Sequence, residues 1–136
     1  MITRSALAEV ALFRDFHEDE IDVVLTHAEG LTLVRGDTLF EEGAEATALY
    51  VVQEGRISIG NRSFDGRESM FALMESGSLF GEMSLFDGQG RSAQARALEP
   101  SKVTAIPYEF VRKVLEDRPA LLWSVVQLLS HRLRSM

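Results

Sequence analysis

Between residues 30 and 106 the chain is a series of short apolar runs cut by glycine-bearing corners, and this rhythm limits the fold more than any other feature. Leu31 and Leu33 alternate with Thr32, Leu49 and Val51 with Tyr50, and Ile57 and Ile59 with Ser58. A period of two puts one set of side chains on one face of a strand. Gly36-Asp37 and Glu42-Gly43 mark corners. Asp65-Gly66 is a hairpin signal between a strand ending near Ser63 and one beginning near Ser69. Val103 to Ile106 closes the series, and Pro107 starts a different pattern. Many short strands at this spacing predict a double-sheet sandwich or jelly-roll barrel.

Helical patterns flank the strands. Residues 5–11 and 17–27 read as short amphipathic helices; in the second, Ile21, Val24 and Leu25 share a face behind the acidic start Glu18-Asp19-Glu20. Tyr108 to Leu115 turns Val111, Val114 and Leu115 toward the barrel. Pro119 to Ser135 predicts a longer helix, with Pro119 suited to its first turn. Along it Leu122, Val125, Leu129, Leu133 and Met136 form a near-heptad stripe. Such a stripe suits a seam against a twin helix, or burial on the chain's own barrel.

Composition narrows the function classes. The 136 residues fit one domain with an ordinary core. No apolar run approaches the ~20 residues needed to span a bilayer, and the start lacks a signal-peptide core, so no membrane partner and a cytoplasmic location are expected. With no cysteine there is no disulfide, thiolate zinc site or iron–sulfur cluster. The net charge of −7 is the wrong sign for a nucleic-acid surface. A local basic cluster, His131, Arg132 and Arg134, reads as a helix C-terminus complementing its own dipole, or as the approach to a DNA-binding module. His17, His27 and His131 lie in the helical ends with no two close together, so a metal-dependent barrel enzyme is not expected. No metal site, cofactor or catalytic residue is assigned.

One stretch does carry chemistry: Phe80-Gly81-Glu82-Met83-Ser84-Leu85-Phe86-Asp87-Gly88-Gln89-Gly90-Arg91-Ser92-Ala93. Glu82, acceptor-only when ionised, suits a sugar hydroxyl. Arg91 offers a forked, permanent cation to phosphate oxygens, and Ser92 adds a hydroxyl beside it. Gly81, Gly88 and Gly90 permit close backbone approach. Leu85 and Phe86 read as core anchors of the segment. Arg96, five residues beyond Arg91, reads as facing solvent.

From Gly81 to Ala93 the segment resembles, without a gap, the phosphate-binding cassette of cyclic nucleotide-binding domains in the cyclic-AMP receptor protein (Crp/Fnr) family of bacterial transcription regulators. Gly36, Gly43 and Gly55, with Leu49-Tyr50-Val51-Val52 between the last two, sit where that family keeps turns and a core strand. The resemblance implies a mainly β jelly roll with flanking helices and a long C-terminal dimerisation helix. It would be one sensor domain over 1–136, with a helical start at 5–27, barrel at 30–106 and C-terminal helices at 108–135. It further implies that Glu82 and the Gly81 backbone bind the ribose 2′-hydroxyl, while Arg91, Ser92 and the Ala93 backbone hold the cyclic phosphate. Cyclic AMP is expected over cyclic GMP, although base recognition has only Ser135 to draw on near the helix end. A homodimer would pair through Leu122, Val125, Leu129, Leu133 and Met136. DNA contact would need a helix-turn-helix domain absent from this chain, which is then a sensor domain cut from a longer regulator or a natural single-domain form. A rival reading keeps the fold as a dimerisation or interaction module without ligand; such modules usually lose the cassette glutamate or arginine, and both are present here.

Overall fold

A computed structural model of the protein describes residues 1–62 and 65–135. Among these residues eight strands form two four-stranded sheets. The strands are β1 (Glu29–Leu33), β2 (Thr38–Phe40), β3 (Ala48–Glu54), β4 (Ile57–Arg62), β5 (Glu68–Met74), β6 (Leu79–Phe80), β7 (Gln94–Ala97) and β8 (Ser101–Pro107). One sheet has the order β1-β8-β3-β6, the other β2-β7-β4-β5, and every pairing is antiparallel. This is the jelly-roll arrangement, with helices at both chain ends. The hairpin around Asp65-Gly66 joins β4 to β5 with Arg62 opposite Glu68; the expected strand end near Ser63 lies outside the described residues.

The first sheet is covered on both faces, which explains why β3 reads Leu49-Tyr50-Val51-Val52 without a polar break. Leu49 and Val51 pack with Leu12, Phe13, Ile21 and Ile106 in a core shared with the helices. Tyr50 and Val52 face the second sheet, where Leu33, Ile57, Phe80, Ala95, Ala97 and Val103 fill the barrel. Leu49, Val51 and Val52 each contribute roughly 1.5–3 kcal/mol by burial, so the alternation ties the helical layer and the barrel to one strand.

The helices are α1 (Arg4–Ala8), α2 (Glu18–Thr26), α3 (Met83–Asp87), α4 (Tyr108–Asp117) and α5 (Leu122–Arg134). Glu20 reaches back to accept a bond from the His17 N–H at 2.7 Å, so the acidic start of α2 caps its own first turn. The same carboxylate takes two 2.8 Å hydrogen bonds from Arg118, which ties α2 to the junction between α4 and α5. Pro119 opens a 3₁₀ turn, Pro119–Leu121, ahead of α5 rather than the α-helix itself.

The five-residue stripe of α5 does not face one way. Val125 is buried against the chain's own core, with Leu121 beside it and Leu129 partly covered. Val125 is therefore not available to a seam, because its side of the helix closes the helical layer. The outward apolar residues are Leu122, Trp123, Val126 and Leu133. Met136 lies outside the described residues.

Candidate functional site

Strand β6 ends at a backbone turn that only glycine fits. Gly81 has φ +78°, and a Cβ there would stand 2.9 Å from Arg91 Nη1 and 3.2 Å from the Tyr50 ring. Glu82 follows and leads into α3, which stops at Gly88. The loop beyond is pinned by backbone bonds to residues between β2 and β3. Arg91 N–H donates to Ala44 O, and Gly43 N–H donates to Arg91 O, each at 2.8 Å. Leu85 is buried and Phe86 packs beside it, which anchors the short helix beneath the loop.

Arg91 is only 6% exposed. Its Nη1 donates to Gly81 O at 2.9 Å and to the Tyr108 hydroxyl at 3.0 Å, while Nη2 donates to Ala48 O at 2.7 Å. Its guanidinium carbon sits 4.1 Å from the Phe40 ring centre, with Tyr50 and Tyr108 further off. These aromatic faces and carbonyls offset the cost of burying a cation. Nε is buried with no hydrogen-bond partner. Tyr108 also donates to Gly81 O, and burial pushes its phenol pKa up, so it keeps the proton it donates.

Glu82 is fully buried, and neither carboxylate oxygen has a hydrogen-bond partner. Arg132 Nη1 lies 2.5 Å from Oε1 and forms an ion pair with the carboxylate. Arg132 Nη2 donates to Leu79 O at 2.6 Å. Burial pushes the Glu82 carboxyl above its ordinary range, against the opposing pull of Arg132 and Arg91.

Gly81, Glu82, Arg91, Ser92 and Ala93 line one pocket, together with Phe40, Met83 and Arg132. The Ser92 side is exposed, leaving its hydroxyl open. The pocket holds about 90 Å³, against the ~300 Å³ and more of typical small-molecule sites. Arg132 accounts for part of the difference, since its guanidinium stands at the carboxylate.

Other candidate residues lie elsewhere. Arg96 pairs with Glu68 on the second sheet. Ser135 donates to His131 O at 2.9 Å, bonding the end of its own helix. His27 stacks on Phe110. Among the described residues no group of three His, Cys, Asp or Glu is placed to hold a metal, and no helix is long and apolar enough to cross a membrane. Sequence reasoning missed Arg132, Tyr108 and Phe40. The basic cluster at the chain's end predicts a dipole complement or the edge of a DNA-binding module for Arg132; in the structure its side chain reaches Glu82, 50 residues away in sequence.

The pocket brings a buried carboxylate and a buried guanidinium together, and the comparisons with known proteins give the family. The profile of the cyclic nucleotide-binding domain family matches residues 31–118, and the chain belongs to that family. Within it, the similarity is to Crp/Fnr-type regulators. The chain is 29% identical over 128 residues to the "CRP-like cAMP-activated global transcriptional regulator" of Mycobacterium tuberculosis, covering 94% of this chain and 57% of that one. It is 32% identical over 123 residues to the "Cyclic AMP receptor protein" of Thermus thermophilus, covering 90% and 57%. The sensor domain of the transcriptional regulator DNR from Pseudomonas aeruginosa superposes with a TM-score of 0.89 over 97% of this chain and 89% of that one; at 23% identity this speaks to fold alone. The chain thus spans little more than half the length of these two curated relatives.

Proposed function

We propose that the domain is the cyclic nucleotide sensor of a Crp/Fnr-type transcription regulator, with cyclic AMP as its preferred ligand. The observation that carries this reading is a buried arginine whose Nε has no hydrogen-bond partner and a fully buried glutamate ion-paired to Arg132, lining one pocket beside an open serine. Buried polar atoms without partners are rare and costly, and a bound ligand is one physical reason to retain them. Glu82 takes the ribose 2′-hydroxyl; Arg91, Ser92 and the Ala93 N–H take the cyclic phosphate.

Signal transmission follows from Arg132. A ribose hydroxyl at Glu82 competes with this arginine and releases the last turns of α5. A ligand biases two states only by its differential affinity for them, and the Glu82–Arg132 contact supplies such a difference. Exposed Leu122, Trp123, Val126 and Leu133 give α5 an apolar outer face suited to a second copy of the chain. On this reading the protein is a cytoplasmic homodimer, and DNA contact belongs to a helix-turn-helix domain outside residues 1–136. It has no catalytic role.

Titration calorimetry with cyclic AMP, cyclic GMP and cyclic dinucleotides tests the ligand, with saturable one-site binding of cyclic AMP expected. The small pocket favours a second reading, a dimerisation or interaction module that takes no ligand. A thermal shift separates the two. Ligand at a hundredfold excess over its Kd stabilises the folded state by ~2.7 kcal/mol, and no shift with any cyclic nucleotide sinks the sensor reading. Sedimentation of the parent and of Val126→Glu tests the dimer; a parent that sediments as a monomer refutes it.

A further inference from the structure

Tyr108 is the first residue of α4, and its main chain is fixed by a 2.9 Å bond from its N–H to Thr47 O. The ring is buried, so the hydroxyl projects from a rigid point. It meets two partners, accepting from Arg91 Nη1 and donating to Gly81 O.

A guanidinium has five N–H donors. Nη1 gives one each to Gly81 O and the Tyr108 hydroxyl, and Nη2 gives one to Ala48 O. Two donors remain: the unpartnered Nε–H and one N–H of Nη2. Two N–H groups are what a bidentate grip on two phosphate oxygens requires. The ring of Phe40, 4.1 Å from the guanidinium carbon, limits tilting of the plane. Without the tyrosine hydroxyl the guanidinium keeps the Gly81 and Ala48 carbonyls but loses its third anchor, the one at the start of α4.

We propose that Tyr108 is a positioning residue for anion recognition, holding the Arg91 guanidinium so that Nε–H and one Nη2–H are left for the phosphate. This rests on the cyclic nucleotide reading above and adds to it a residue outside the cassette. It also places the phosphate's cation in direct contact with the start of α4, so the same hydroxyl links the bound anion to the helical layer.

The test is Tyr108→Phe in the full chain, titrated with cyclic AMP and with the two phosphorothioate diastereomers of cyclic AMP. A fixed guanidinium edge distinguishes the two diastereomers, because sulfur replaces a different phosphate oxygen in each. Loss of one hydrogen bond to a charged group corresponds to roughly tenfold in affinity. The expected result is a roughly tenfold weaker cyclic AMP affinity in Tyr108→Phe and a diastereomer ratio that moves toward one. A loss of packing alone would weaken both diastereomers by the same factor. Phe40→Leu, which removes the ring under the guanidinium without touching the hydroxyl, is a second variant and should move the ratio in the same direction. An unchanged ratio in Tyr108→Phe, with the parent binding normally, overturns the role of Tyr108, whatever Phe40→Leu does. A parent that binds neither cyclic AMP nor either diastereomer overturns the nucleotide reading and this role with it.

Discussion

Arg132 Nη1 lies 2.5 Å from Glu82 Oε1, so the final turns of α5 are fastened to a fully buried carboxylate inside the cassette pocket. The contact joins an element that faces outward for most of its length to the group proposed to take the ribose hydroxyl. It is also lopsided, because Glu82 is enclosed while Arg132 keeps about a third of its side chain in solvent. Either partner can be removed, with opposite consequences.

Removing the arginine leaves the acid without its main cation. Arg132→Ala should lower the stability of the unliganded protein by about 1–3 kcal/mol, toward the low end because the arginine is partly solvated. Nucleotide affinity should rise several-fold, since the hydroxyl no longer competes with a guanidinium. Calorimetry and thermal denaturation measure both. Weaker nucleotide binding in Arg132→Ala would mean that the arginine assists the ligand instead of blocking it.

Removing the acid's charge works the other way. The Glu82 pKa is raised in the fold, chiefly by burial, so the folded state holds the proton more tightly than the unfolded chain. Its favourable contribution is present below the ordinary carboxylate value and is lost as pH rises through the raised one. Above that raised value the ionised group therefore costs stability, and Glu82→Gln should raise Tm there. A gain of about 1 kcal/mol is worth roughly 2–8 °C at this chain size. Nucleotide binding should weaken, because the amide is a poorer acceptor for the ribose hydroxyl. In the parent, binding should weaken as pH falls through the raised value, with Arg132, Arg91 and Tyr108 as the groups facing the carboxyl. A Glu82→Gln variant with lower Tm and unchanged affinity would contradict both halves.

The barrel was legible because period-two alternation and glycine corners are local signals. Ile57-Ser58-Ile59 and Leu31-Thr32-Leu33 each sit in a strand, and Asp65-Gly66 joins β4 to β5. The two-residue β6 was not legible, since Leu79-Phe80 is too short to alternate. On α5 the sequence offered more apolar positions than one face can hold. The choice of Val125 as core depends on where the helix meets Phe13 and Leu121, which spacing does not encode. Within the site, Glu82 and Arg91 stood in one contiguous motif. Phe40 comes from the end of β2, Tyr108 from the start of α4 and Arg132 from the last helix, so only tertiary packing brings them together.

Gly81→Ala tests the tight backbone beneath the site. A side chain there must adopt φ +78° and meet Arg91 Nη1 at 2.9 Å. The left-handed conformation alone costs roughly 1–2 kcal/mol, and the guanidinium must also shift. Lower stability and at least tenfold weaker cyclic AMP binding are expected, as ~1.4 kcal/mol is a factor of ten. A variant that binds like the parent would show that Arg91 need not stay on the Gly81 carbonyl.

The last prediction concerns acid sensitivity away from the pocket. The Glu20 pKa is held below its ordinary value, first by hydrogen bonds from Arg118, with the His17 N–H helping and burial opposing. A depressed carboxyl favours folding above its unfolded value, and that contribution is lost as pH falls through the folded one. Glu20→Gln should therefore lower Tm at neutral pH, and the gap to the parent should close as the solution is acidified below the ordinary carboxylate value of about 4.3. Arg118 also donates to Asp15 O at 2.9 Å, so loss of the pair loosens the N-terminal helices from the α4–α5 junction rather than opening the barrel. Hydrogen exchange in Glu20→Gln should accordingly rise in α2 and at the start of α5 while β3 and β8 stay protected. Uniform exchange across both sheets would show that this pair supports the whole fold, and a gap in Tm that persists in acid would show that the carboxylate's charge is not what holds it.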